Sequence, residues 1–187
     1  MSTNLRVIAG SYRGRRLHAP RGNVTRPTSA RVREALFSIL GDLSGARVLD
    51  LYAGSGALGI EALSRGAASV VLVEHDRSAL ACIRENLAAI GAASEARVLP
   101  VRASVALGAL KDDAFDLVFC DPPWDALDRA LGVLEKLRAS ERLAGGARVV
   151  LEHSARDENP EVSGFVAVSR RRWGDTAMSF FEIGSGG

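Results

Sequence analysis

The 187 residues are 47% hydrophobic and 25% charged with a net charge of +2, which suits one well-buried α/β domain with room for a small extension. No apolar run approaches the length of a membrane span, and residues 1–6 lack the apolar stretch of a signal peptide, so a cytoplasmic protein is expected. Cys82 and Cys120, far apart in sequence, read as buried reduced thiols, and three scattered histidines give no metal-site spacing, so no metal is expected.

Charge is distributed unevenly along the chain. Residues 1–33 hold eight arginines (Arg6, Arg13, Arg15, Arg16, Arg21, Arg26, Arg31 and Arg33) and no acid, whereas the rest carries 16 basic and 22 acidic side chains. An acid-free basic segment is the footprint of a phosphate-binding surface. Within it Leu5–Ala9 alternates and Gly10 and Gly14 permit turns, which predicts a short strand or hairpin. Pro20-Arg21-Gly22-Asn23 breaks the chain again. Thr28 or Ser29 then caps a helix with Val32, Ala35, Leu36, Ile39 and Leu40 at helical spacing, stopping at Gly41. The organisation read from this is a basic extension over 1–27 and a domain over 28–187.

From Ala46 the pattern alternates strand and helix. Strands are predicted at Arg47–Leu51, Val70–Glu74, Ala96–Val101, Phe115–Cys120 and Arg148–Glu152, with helices starting near Ala57, Ser78, Ser104 and Ala126. Such alternation makes right-handed βαβ units and a parallel sheet. Phe165–Arg172 and Ala177–Ile183 flank Trp173-Gly174-Asp175-Thr176 and read as an antiparallel hairpin. The expected fold is Rossmann-like: a seven-stranded mixed sheet, six strands parallel and one antiparallel, with helices on both faces. A cofactor would lie at the carboxyl ends of the first strands, at the topological switch point.

Gly54-Ser55-Gly56-Ala57-Leu58-Gly59 matches G-x-G-x-x-G between a strand and a helix, and Glu74 ends the next strand near the spacing of a ribose-binding acid. Both dinucleotides and S-adenosylmethionine use such a turn. Asp50 sits four residues before Gly54, which disfavours a pyrophosphate and suits the ammonium of a methionine moiety. Downstream, Asp121-Pro122-Pro123-Trp124 closes the Phe115–Cys120 strand. A carboxylate and a proline carbonyl can accept hydrogen bonds from an exocyclic amino group. The prolines fix φ, and Trp124 offers a face for a nucleobase. The pair of motifs favours S-adenosylmethionine over NAD.

Asp50–Gly59, Glu61–Ala67 and Asp121-Pro122-Pro123 resemble class I S-adenosylmethionine-dependent methyltransferases acting on exocyclic amines. Arg6–Leu17, Arg26-Pro27-Thr28, Arg31–Phe37 and Gly174-Asp175-Thr176-Ala177 narrow the resemblance to the bacterial 16S rRNA (guanine(966)-N2)-methyltransferase family, over almost the whole chain. The resemblance implies a class I methyltransferase fold and transfer of a methyl group to the N2 amine of a guanine in 16S rRNA, within a small-subunit particle. It implies catalytic roles for Asp121, Pro122, Pro123 and Trp124. Cofactor contacts are implied for Asp50, Tyr52, Ala53, Gly54, Ser55, Gly56, Glu74, His75, Ala103, Ser104 and Asp121. RNA contacts are implied for Arg6, Arg13, Arg15, Arg16, Arg26, Arg31 and Arg33, and a monomer with no membrane partner is expected. Two departures stand out: Trp124 replaces the commoner Tyr, and Val101-Arg102-Ala103-Ser104 lacks the Asp or Asn that usually meets the adenine amino group.

Rival readings remain at this level. An adenine-N6 DNA methyltransferase would use the same motif chemistry, but 187 residues leave little space for a target-recognition domain. A protein glutamine methyltransferase would have no use for the arginine segment. A non-catalytic RNA-binding assembly factor would have no need of Asp50, Gly54–Gly56, Glu74 and Asp121 together.

Overall fold

The computed structural model describes residues 5–20, 29–110 and 114–184. The proposed boundary between residues 27 and 28 lies outside them, as do Arg21 and Arg26. Helix α1 (Ala30–Leu40) leads into β1 (Arg47–Leu51), α2 (Ala57–Ser64), β2 (Ser69–Val73), α3 (Arg77–Ile90), β3 (Ala96–Leu99) and α4 (Ala103–Ala106). Then come β4 (Phe115–Cys120), a 3-10 turn at Trp124–Ala126, α5 (Leu127–Ala139), β5 (Leu143–Ser154), β6 (Phe165–Trp173) and β7 (Thr176–Ile183).

Among the described residues the strands form one seven-stranded sheet in the order β3-β2-β1-β4-β5-β7-β6. β1 through β5 pair in parallel, and β7 runs antiparallel to both β5 and β6. Six strands therefore point one way and β7 the other, as the pattern of elements predicts. Strand order reverses between β1 and β4, so a crevice opens at their carboxyl ends.

Alternation along the strands divides the core into two layers. Val48, Val70, Leu72, Leu117, Phe119 and Val150 pack with α1, α2 and α3 on one face. Leu49, Leu51, Val71, Val73, Val118 and Leu151 pack with α4 and α5 on the other. Helices thus cover both faces, which suits the nearly continuous apolar runs of the central strands. Both cysteines are free and buried, and no helix among the described residues is long and apolar enough to cross a membrane.

Several boundaries differ from expectation for local reasons. β3 stops at Leu99 rather than Val101, and α4 is a single turn. β5 is longer than predicted because residues from Leu143 also pair with β4, across an irregularity in register beside Gly146 at φ 80°. In α1 the buried stripe is Val32, Arg33, Leu36, Phe37 and Leu40, so Ile39, expected in the core, is 41% exposed. Ser29 is the cap, its Oγ accepting from Val32 N–H at 3.3 Å.

The described part of the basic segment, residues 5–20, forms a narrow paired loop. Within it an antiparallel bridge joins Arg6 to Arg16, flanked by Val7 N–H to Arg15 O at 3.0 Å and Leu17 N–H to Leu5 O at 2.9 Å. This narrow loop is fixed to the domain rather than projecting from it. Leu5, Val7 and Leu17 join the apolar layer of α1–α3. Glu61 of α2 accepts Ile8 N–H at 2.7 Å and Ala9 N–H at 3.0 Å, and Ser64 O accepts Ser11 N–H at 2.7 Å. A Cβ on Gly10 would stand 1.6 Å from Ser64 O, and Gly10 has φ 81°, so this docking requires glycine.

Candidate active site

β1 ends at the crevice, and the chain turns sharply after it. Tyr52 adopts φ 62°, Gly54 56° and Gly56 76°, and Gly56 opens α2. The turn is held at nearly every peptide: Ala53 N–H donates to Val73 O at 3.0 Å and Gly56 N–H to Ala53 O at 2.7 Å. Gly59, one helical turn on, lies so close to the sheet that a Cβ would meet Leu72 Cδ2 and Val70 Cγ2 at 2.8 Å. The third glycine of the motif therefore serves helix–strand packing.

Two carboxylates brace this loop. Asp50, 1% exposed, accepts Gly59 N–H on Oδ2 at 2.9 Å. Burial pushes its carboxyl up to about 7, against the Gly59 hydrogen bond, which pulls it down. Glu74 reaches from the end of β2 to accept Gly54 N–H at 2.9 Å, while its other oxygen accepts His75 N–H at 2.6 Å and Asp76 N–H at 2.8 Å. The exposed His75 places Nδ1 3.4 Å from the same carboxylate. Across the crevice, α4 buries Ala103 and leaves Ser104 exposed at the end of β3.

β4 brings the second motif alongside. Cys120 pairs with Leu51 in the sheet, and Asp121 N–H continues the ladder to Leu51 O at 3.4 Å. Asp121 thus stands at the strand end next to Tyr52, and it is half-buried. Pro122 is buried and Pro123 exposed, with Pro123 O accepting Ala126 N–H at 2.8 Å to close the 3-10 turn. That turn carries Trp124 outward, 57% exposed. A large aromatic left in solvent at a switch point can offer its face to a planar ligand. Cys120, directly beneath, is inert as a thiol, because burial and the adjacent Asp121 raise it well above the ordinary range.

The arginines separate into two groups. Arg13, Arg15, Arg16 and Arg31 are exposed, and Arg6 is half-buried with Nη1 on Gly14 O at 3.2 Å. Arg33 departs from expectation: it is 1% exposed, and its Nη2 donates to Arg6 O at 2.9 Å. Desolvation lowers its pKa while nearby Glu61 raises it. Arg33 therefore belongs to the core that holds the basic loop, and the expectation that it contacts RNA is corrected. Its position on the α1 stripe, one residue after Val32, was the available signal.

Two polar residues were missed by sequence reading. Glu61, fully buried, holds the basic loop and also accepts Arg65 Nε at 2.8 Å. Asn86 lies on the buried stripe of α3 and contacts both the basic loop and the glycine turn. In each case the signal is a polar side chain at an apolar helical position.

Comparisons with known proteins converge on one group. The family described as "Conserved hypothetical protein 95" matches residues 5–182. The chain is 35% identical over 182 residues to "Putative rRNA methyltransferase YlbH" of Bacillus subtilis, covering 95% of this chain and 98% of that one. It is 43% identical over 137 residues to "Ribosomal RNA small subunit methyltransferase D" of Escherichia coli, covering 72% and 68% respectively. Among solved structures, "Putative methyltransferase yhhF from Escherichia coli" superposes with a TM-score of 0.82 at 36% identity, over 95% of this chain and 97% of that one.

Proposed function

The chain belongs to the Conserved hypothetical protein 95 family, and from that membership and the crevice geometry we propose that it methylates the exocyclic N2 amine of a guanine in 16S rRNA, with S-adenosylmethionine as donor. The observation that carries this reading is the position of Asp121-Pro122-Pro123-Trp124, one ladder step from the glycine turn, with Trp124 turned to solvent. The relatives named as ribosomal RNA methyltransferases support an rRNA substrate in this chain as well. We place the reaction in the cytoplasm, on a small-subunit particle, with the protein as a monomer.

The crevice fits the methyl donor by its donor set. Glu74 already accepts three N–H groups, and a carboxylate has about four acceptor sites, so one remains for a ribose hydroxyl. The glycines keep side chains clear of an adenosyl group, and Asp50, buried beneath the turn, ionises the more readily once the methionine ammonium lies close to it. Tyr52, Ala53 and Ser55 line the turn, His75 follows Glu74, and Ala103 or Ser104 faces the adenine. When bound, the sulfonium supplies an activated methyl group.

The protein's own work is positioning and electrostatics. Asp121 and Pro122 O accept the two amino hydrogens, which disfavours delocalisation of the N2 lone pair into the ring and aims it at the methyl. As N2 gains positive charge, the Asp121 carboxylate stabilises it and takes up the departing proton, directly or through water. Trp124 stacks on the guanine, which must leave its helix to reach the crevice. Arg13, Arg15, Arg16, Arg31 and Arg6 hold backbone phosphates; Arg26, outside the described residues, is proposed to contact RNA from sequence alone. Calorimetry with S-adenosylmethionine, then methyl transfer offered to small subunits, duplex DNA and a glutamine peptide, tests the assignment. Binding followed by transfer to the subunits alone is expected; transfer to DNA or peptide instead would overturn it.

A further inference from the structure

Asn86 sits at the junction between the basic loop and the glycine turn. It is fully buried on α3, and its Oδ1 accepts His18 N–H at 2.7 Å. Its Nδ2 donates to His18 O at 3.0 Å and to Ser55 O at 2.9 Å. Both amide hydrogens are therefore committed to different segments, one at the end of the basic loop and one in the turn. The orientation of the amide is fixed by chemistry, because an N–H must meet the oxygen and two carbonyls must meet the NH2.

The Ser55–Gly56 peptide is consequently held at both ends, its carbonyl by Asn86 and its N–H by Ala53 O at 2.7 Å. This peptide cannot rotate without breaking one of these hydrogen bonds. His18 O receives a second donor, Cys82 Sγ at 2.9 Å, so the basic loop ends at a site fully paired to α3. Any shift of the turn is thus felt at His18 through one rigid side chain.

We propose that Asn86 is a positioning residue that couples the cofactor turn to the basic loop, so that loading the crevice raises affinity for the RNA substrate. This rests on the reading above, with the methyl donor at Gly54–Gly56 and RNA on Arg13, Arg15 and Arg16. A ligand that packs on the turn restrains Ser55 O further, and the added restraint passes through the Asn86 amide to His18 and the loop before it. Coupling of this kind is reciprocal, so RNA bound on the loop tightens the cofactor by the same factor.

The test is the affinity of unmethylated small ribosomal subunits for the full chain, with and without saturating S-adenosylhomocysteine, in wild type and in Asn86→Ala. Wild type should bind the subunits at least about fivefold tighter with the cofactor product present, the lower end of common coupling factors. In Asn86→Ala that ratio should fall to near one, even where both separate affinities weaken. A residue with only a structural role would lower both affinities and leave the ratio unchanged, and that result would overturn the inference. Hydrogen exchange on wild type gives a measurement independent of any variant: S-adenosylhomocysteine should slow exchange of the His18 amide, and unchanged exchange would overturn the inference. Failure of S-adenosylhomocysteine to bind wild type at all would instead overturn the cofactor assignment on which the inference rests.

Discussion

On the proposed reaction, Asp121 carries the chemistry, and its contribution is concentrated in the transition state, where N2 becomes cationic. Replacing it with Ala should lower kcat by about two orders of magnitude or more, the scale of losing a positioned acid–base or electrostatic group. Cofactor and RNA affinities should change far less, since Glu74, the glycine turn and the arginines remain. Asp121→Asn should keep more activity than Ala, because its amide oxygen still accepts an amino hydrogen. Steady-state kinetics beside thermal melts read both, and near-native turnover in a folded Asp121→Ala would contradict the role. Asp50 makes a different prediction. Its folded pKa of about 7 lies above that of a free aspartate, near 4. Between those values only the folded state holds the proton, so this group's stabilisation is full below about pH 4 and lost as pH rises to about 7. Asp50→Asn keeps an oxygen for Gly59 N–H and never ionises. Melts without cofactor should therefore show the variant gaining on wild type from about pH 4 to about pH 7, then holding level. A pH-independent difference would contradict the buried, proton-holding carboxyl.

At the scale of elements, the basic loop and its support on α1 and α2 decide which arginines are exposed and which are buried, and on the proposed function the exposed ones meet RNA. Neutralising Arg13, Arg15 and Arg16 together should weaken RNA binding and flatten its salt dependence while cofactor affinity persists. Arg33→Met should leave the salt slope of RNA binding unchanged, since the buried guanidinium faces no solvent, while loss of its bond to Arg6 O and of its charge beside Glu61 should lower stability in thermal melts. Equal losses in both variants would contradict the division. Glu61→Ala strands the Ile8 and Ala9 amides and should cost roughly 2–3 kcal/mol in denaturant melts, the range for unsatisfied buried donors. Sequence was informative here only in part. Val32, Leu36 and Leu40 define α1 by spacing, and Ser29 its start, but Arg33 and Ile39 exchange expected places because the helix meets the sheet slightly off the purely apolar stripe. The buried face of a helix is set by what it packs on, and residues such as Arg6 and Glu61, distant in sequence, supply the partners that make an arginine tolerable there.

At the scale of the whole molecule, strand–helix alternation was legible because each strand is a short apolar run bounded by turn residues, and β1 and β4 appear within their predicted limits. The β6–β7 hairpin was equally legible from its change to antiparallel spacing around Gly174. The carboxyl-end crevice follows from that order, and it brings Leu51 beside Asp121 although 70 residues separate them. Less legible was the anchoring of the N-terminal loop, because Gly10 against Ser64 and His18 against Asn86 are contacts between distant segments with no periodic signal. On the proposed function the whole assembly frames one reaction, and the product identifies it most directly. Label from tritiated S-adenosylmethionine should be transferred to unmethylated small ribosomal subunits, and nucleoside chromatography after complete digestion then identifies the methylated base. Label co-eluting with N2-methylguanosine, and lost in Asp121→Ala, is the predicted result; label in N6-methyladenosine, or in no nucleoside, would contradict the account.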